Sequence, residues 1–117
     1  MNPIIERLSD LTRRHAHFTY DLRGACLVYQ GVVAAYKGPT KRNRFTDLAK
    51  AIAHALAHDG IIGAWKDPRT GEVDYDSCRL FTDVPNALRF AKAQGQEAIF
   101  NLNRDQEVRV PADGSFP

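Results

Sequence analysis

"IIGAWKDPRTGEVDYDSCRLF", residues 61–81, is the stretch on which the fold depends. Two runs with strand character, "IIGAWK" and "EVDYDSCRLF", flank "DPRTG", where Asp67 opens a turn, Pro68 presets its φ and Gly71 closes it. The pattern predicts a β-hairpin. Alternate side chains of a strand share a face, so Val73 and Tyr75 lie on one side of the returning strand, while Cys78 and Leu80 have the opposite parity. That slip predicts a bulge near Asp76 and Ser77. Asp74 and Asp76 also share a face, which suits either a catalytic or metal-binding carboxylate pair or a solvent-facing strand edge that resists aggregation.

Before the hairpin, Thr46 is a good N-cap and Asp47 suits the positive end of a helix dipole; Leu48, Ile52, Ala55 and Leu56 then form an apolar stripe that stops at Gly60. Asp47, Lys50, His54 and His58 fall on the opposite, solvent side. After the hairpin, Asp83 caps a helix with Pro85 in its first turn, an apolar face of Val84, Ala87, Leu88 and Ala91, and a stop at Gly95. Ala98, Phe100 and Leu102 alternate, "NRDQ" turns the chain, and Val108 and Val110 complete another hairpin. At the start, Asn2 and Pro3 open a helix carrying Ile4, Ile5, Leu8 and Leu11 to about His15. "ACLVYQGVVAAYKG" is a hairpin turning at Gln30–Gly31 or one strand bulged at Gly31, with the hairpin preferred.

The expected fold is therefore α+β, with helix and hairpin units in the order α-ββ-α-ββ-α-ββ and three helices packed on an antiparallel sheet of about five or six strands. Residues 1–110 form a single domain, and 111–117, "PADGSFP", a loosely ordered tail. The expected core is Ile4, Leu8, Leu11, Val28, Val33, Leu48, Ile52, Leu56, Ile62, Trp65, Leu80, Leu88, Ala91, Phe100 and Val108.

Hydrophobic residues make up 44% and charged residues 26% of the 117, which excludes a disordered chain. The longest apolar run, Val32 to Ala35, is far short of the roughly 20 residues of a membrane span. "MNPIIERLSDL" meets charge at Glu6 and lacks the apolar region of a signal peptide, so a cytoplasmic location is expected. Cys26 and Cys78 fit that compartment as small buried hydrophobes. A net charge of +2 does not announce a nucleic-acid binder. Its distribution is uneven: Leu22 to Thr46 holds Arg23, Lys37, Lys41, Arg42 and Arg44 with no acid, whereas Asp67 to Asp83 is acidic, so a bipolar surface is expected.

"YKGPTKRNRFTD", residues 36–47, places Lys41, Arg42 and Arg44 just before a helix N-terminus, where free N–H groups favour an anion. It is either an anion-binding loop or a solvated, protein-contacting connection, and it lacks the G-x-x-x-x-G-K-[ST] pattern of a phosphate cradle. Lys37, Lys41, Arg42, Arg44 and Tyr36 are the candidate partner-binding residues, with Tyr20, Tyr29 and Tyr36 taken as exposed. His15, His17, His54 and His58 lack an accompanying Cys cluster or H-E-x-x-H, so no metal or cofactor is expected. No G-x-S-x-G frames Ser9, Ser77 or Ser115, and no catalytic residue is assigned.

Residues 63–102 resemble a small α+β module found in phage and mobile-element proteins. The likeness rests on Gly63, Trp65, Asp67, Pro68, Thr70, Gly71, Ala87, Ala91, Gln96, Ala98, Ile99, Phe100 and Leu102. These are turn and core residues, so the resemblance concerns a scaffold. "FTDVPNALRFAKAQG" also resembles a helix start of ADP-ribosyltransferase-like folds, and "YKGPT" resembles their Tyr-His-Gly-Thr strand with Lys37 in place of His. The expected function is a non-enzymatic accessory or inhibitor factor that contacts a host or phage protein through the basic segment. Nucleic-acid binding by the same residues is the alternative, and a degenerate ADP-ribosyltransferase-like enzyme a second. Replacing Lys41, Arg42 and Arg44 together is expected to leave folding intact.

Overall fold

A computed structural model describes residues 3–111; the proposed Asn2 cap and the tail beyond Pro111 lie outside them. In chain order the elements are α1 (Pro3–Arg14), β1 (His17–Asp21), β2 (Cys26–Leu27), β3 (Val32–Ala35), α2 (Leu48–Leu56), β4 (Ile61–Lys66), β5 (Val73–Phe81), α3 (Val84–Ala93), β6 (Ala98–Asn101) and β7 (Gln106–Arg109). The class is α+β, as the hydrophobic periodicities predict. Among the described residues the strands form one antiparallel sheet of seven, in the order β2-β1-β4-β5-β3-β6-β7, rather than five or six.

The additional strand is β1. Its sequence, "HFTYD", alternates strictly, with Phe18 and Tyr20 buried beneath the helices. The hairpin expected at Gln30–Gly31 is instead formed one strand earlier: β1 turns through residues 22–25 and pairs with β2, Tyr20 opposite Leu27. Gly31 is neither hairpin turn nor bulge. With φ of +104°, it swings the chain away from β2 and into β3, which lies between β5 and β6.

The 61–81 hairpin is β4 and β5, in unbroken register from Ile61 opposite Cys78 to Lys66 opposite Val73, so the expected bulge at Asp76–Ser77 is absent. The apparent slip in parity is a change in which face is apolar. Tyr75 packs under the helices with Ile62 and Ala64, whereas Cys78 joins Val33 and Ile61 on the other side. β5 is an interior strand, not an edge.

The helices cover one face of the sheet. Leu8 and Leu11 of α1 and Ala51, Ile52 and Ala55 of α2 close over Phe18, Tyr20, Ile62 and Tyr75, while Ala87, Leu88 and Ala91 of α3 cover Val32, Ala34 and Ile99. Asp47, not Thr46, caps α2, accepting a hydrogen bond from the Lys50 N–H; Asp83 caps α3 as predicted. Three residues of the expected core are exposed. Leu56 sits past the buried stripe of α2, and Trp65 and Leu80 lie on the face that no helix covers. Cys26 is exposed as well, while Cys78 is buried, and burial pushes its thiol well above the ordinary value, with Asp76 adding to the effect.

Candidate binding face on the open side of the sheet

The uncovered face is strongly curled. His17, at the start of β1, stacks on Trp65 of β4 with ring centroids 4.6 Å apart, yet also meets Phe100 of β6 at 5.1 Å. β4, β5 and β3 separate β1 from β6 in the sheet, so the two can touch only because the sheet bends round on itself. Trp65 and Phe100 complete the cluster edge to face at 5.5 Å. The concave side encloses a hollow of about 620 Å³. Its floor is made of small side chains, including Thr19, Gly63, Ala35 and Ala98, and the absence of bulk there is what leaves the space.

Residues 37–44 form one wall. β3 leaves the edge of β5 after Tyr36, whose N–H donates to the Ser77 carbonyl, and the chain returns at Phe45, which pairs with Tyr75. Between these points it makes a short excursion with close ends, an Ω-type loop. Gly38 fits only as glycine, because a Cβ there would come within 2.7 Å of the Arg44 backbone. Asn43 takes the left-handed conformation with φ of +62°; its carbonyl oxygen accepts from the Gly38 N–H and its amide donates to the Gln94 carbonyl. Gln96 donates to the carbonyls of Tyr36 and Asn43, and the Lys37 N–H donates to Gln94. The loop is thus sewn to the end of α3.

Two arginines fasten it to the sheet. Arg44 donates from Nε and Nη2 to the two carboxylate oxygens of Asp76 at 2.9 and 2.8 Å, and Arg42 donates to Asp74 at 2.7 Å. Period-two spacing aims both aspartates at the open side, where the loop meets them. Burial raises the Asp76 carboxyl above its ordinary pKa; Arg44 opposes the shift and Asp74 reinforces it. The two segments expected to form opposed patches are thus brought side by side, with Arg42 and Arg44 of the basic one paired to Asp74 and Asp76 of the acidic one. Asp74 and Asp76 are neither a free carboxylate pair nor an aggregation-resisting edge. At the start of α2 the carboxylate of Asp47 accepts from the Lys50 N–H, while Arg42 and Arg44 engage Asp74 and Asp76.

Of the candidate residues, Lys37, Lys41 and Arg42 are exposed and Arg44 is largely covered by its ion pair. Tyr36 is not an exposed platform. It is half-buried on the helix side of the sheet, between the stacked rings of His54 and His58 and the edge of Phe90, and its hydroxyl donates to Asp59. Burial and then Asp59 raise the phenol pKa. Tyr20 is buried too, and among the three tyrosines only Tyr29 stands out, at 72% exposure.

His54 departs from the expected solvent face. It turns toward the sheet, its Nδ1 2.7 Å from the Ser77 hydroxyl, and burial together with the neighbouring His58 lowers its pKa. Ser77 is completely buried and Asp59 is engaged by Tyr36, so the pair lacks the access that nucleophilic catalysis needs. It satisfies polar groups in the core.

Sequence reading missed His17, Thr19, Gln96 and Phe100 as parts of a surface. The strict alternation of "HFTYD" was the available signal, since it assigns His17 and Thr19 to the face opposite Phe18 and Tyr20. Among the described residues no group of three or more His, Cys, Asp or Glu is placed to hold a metal ion, and no helix is long and apolar enough to cross a membrane. Comparison with models of known protein families, with curated proteins and with solved structures finds no match.

Proposed function

We propose that this chain is a non-catalytic binding protein that seats a segment of another protein in the hollow of its open sheet face. The observation that carries the reading is the make-up of that hollow: an aromatic wall of His17, Trp65 and Phe100, and a second wall in which Arg42 and Arg44 are matched by Asp74 and Asp76. Aromatic side chains in a concave site supply contact area, and paired charges of both signs offer a polypeptide register and selectivity. The same matching removes the net positive potential that would draw a phosphate backbone. In this reading Lys37, Lys41 and Arg42 contact the partner from the exposed side of the loop, while Tyr36 and Arg44 hold the loop in place. The resemblance of residues 63–102 to modules of phages and mobile elements supports a host or phage protein as the partner and an accessory or inhibitory role.

A second reading has one specific observation behind it. Trp65, 37% exposed, shares the hollow with Lys41 and Arg42, a combination that suits stacking of a single-stranded nucleic acid. Capture from a cell lysate, with and without nuclease, using the wild type and the Lys41→Ala/Arg42→Ala double variant, separates the two. A protein retained after nuclease and lost in the variant supports the first reading. Loss of all captured material on nuclease treatment supports the second. Equal recovery by wild type and variant removes the loop tip from the contact surface.

A further inference from the structure

The two edges of the sheet are unlike. β2 is only two residues long, which blunts it against further pairing. β7 is a four-residue strand, "QEVR", with Gln106, Glu107 and Arg109 exposed. The Val110 N–H donates inward, to the Glu97 carbonyl, and inward and outward groups alternate along an antiparallel strand. Val108 and Gln106 therefore also face β6, opposite Ile99 and Asn101. The backbone groups of Glu107 and Arg109 point out of the sheet, where no further strand pairs among the described residues.

That pattern is self-complementary. If β7 meets a second β7 antiparallel with Val108 at the two-fold axis, Glu107 falls opposite Arg109 of the second copy, and Arg109 opposite its Glu107. Both positions are the outward-facing kind, so each pairing is a hydrogen-bonded one in which two backbone bonds and an opposite-charge side-chain pair form together. The Val108 side chains, half-buried at the margin of the α3 core, meet at the axis on the helix side. Among the described residues Arg109 is ion-paired with the exposed Glu97, at 3.8 Å, a contact too loose and wet to compete strongly.

We propose that the chain pairs with a second copy of itself through β7, joining two sheets into one. Glu107 and Arg109 project to the open side and line the hollow, so pairing makes the two concave faces continuous and lets each copy supply charged residues beside the site of the other. The proposal rests on the sheet edge alone and is independent of what the hollow binds.

Size-exclusion chromatography with light scattering tests it on four forms of the full chain. Wild type runs at twice the 13.1 kDa chain mass. Glu107→Arg and Arg109→Glu each place like charges opposite one another and run as monomers. The double exchange, Glu107→Arg with Arg109→Glu, restores opposite charges and returns the doubled mass, which a merely misfolded variant would not do. Glu107→Pro, which removes one outward N–H and is tolerated on an edge strand, also gives the monomer. Wild type at monomer mass across all concentrations, or single exchanges that keep the doubled mass, would overturn the proposal.

Discussion

β5 shows both faces of the sheet in one strand. Tyr75 and Ser77 point to the helices, where the tyrosine fills the core and the serine is bound to His54; Asp74 and Asp76 point the other way, to Arg42 and Arg44 of the loop. The covered face is held by close-packed apolar side chains from three helices. The open face has a floor of small residues, an aromatic cluster at one side and an ion-paired loop at the other. Apolar packing accounts for most of the first face, whereas the second keeps a hollow and a partly exposed aromatic cluster. The difference separates the packed scaffold from the face proposed here to bind a partner.

The largest effect belongs to the covered face. Ile62 is fully buried, and Ile62→Ala is expected to lower unfolding free energy by about 3–4 kcal/mol in urea denaturation. A loss under about 1 kcal/mol would mean that the helices do not pack on β4 as described.

The loop comes next, and here the outcome differs from the behaviour of an exposed segment. Arg44→Ala leaves Asp76 covered without its partner and is expected to cost about 2–3 kcal/mol, so the triple replacement of Lys41, Arg42 and Arg44 would not leave folding untouched. Arg44→Ala/Asp76→Ala should cost less than the sum of the single changes, and strict additivity in that double-mutant cycle would show that the pair does not form.

A pH effect follows from His54. Its folded pKa is lowered from 6.5 by burial and by His58, so the unfolded chain takes up a proton that the folded chain refuses. The stability carried by the neutral ring is present above 6.5 and is lost as pH falls from there through the lowered folded value. Urea midpoints should decline between about pH 7.5 and about pH 5.5, and His54→Gln should flatten that decline. An unchanged slope in the variant would place the titration elsewhere.

How much of this was legible in the sequence follows from the range of the interactions. The three helices, the β4–β5 hairpin and the β6–β7 hairpin are written in local periodicity and in turn residues such as Asp67, Pro68 and Gly71. β1 is legible in the alternation of Phe18 and Tyr20, although it begins only a few residues after α1 ends. The position of β3 was not legible: Val32 pairs with Phe81 and Asn101, partners that no local pattern names. The same holds for the loop. Arg42 and Arg44 find Asp74 and Asp76 at a separation of 32 residues, so a charge count saw two opposed blocks where the fold makes ion pairs. Small floor residues such as Thr19 and Ala98 carry no signal of their own, and the hollow exists only once the sheet curls.

The smallest stability change and the sharpest functional one are expected at the same residue. Trp65 is 37% exposed on the open face, and Trp65→Ala should cost about 1–2 kcal/mol of folding. Leu56, 49% exposed on the helix side, provides the matched control, since Leu56→Ala removes an exposed apolar side chain of the other face. The deciding measurement is recovery of a nuclease-resistant protein partner from lysate by wild type, Trp65→Ala and Leu56→Ala, each shown to be folded by its urea midpoint. Loss of the partner by Trp65→Ala with full retention by Leu56→Ala is the predicted result, and retention by Trp65→Ala with loss by Leu56→Ala would contradict the assignment of binding to the open face.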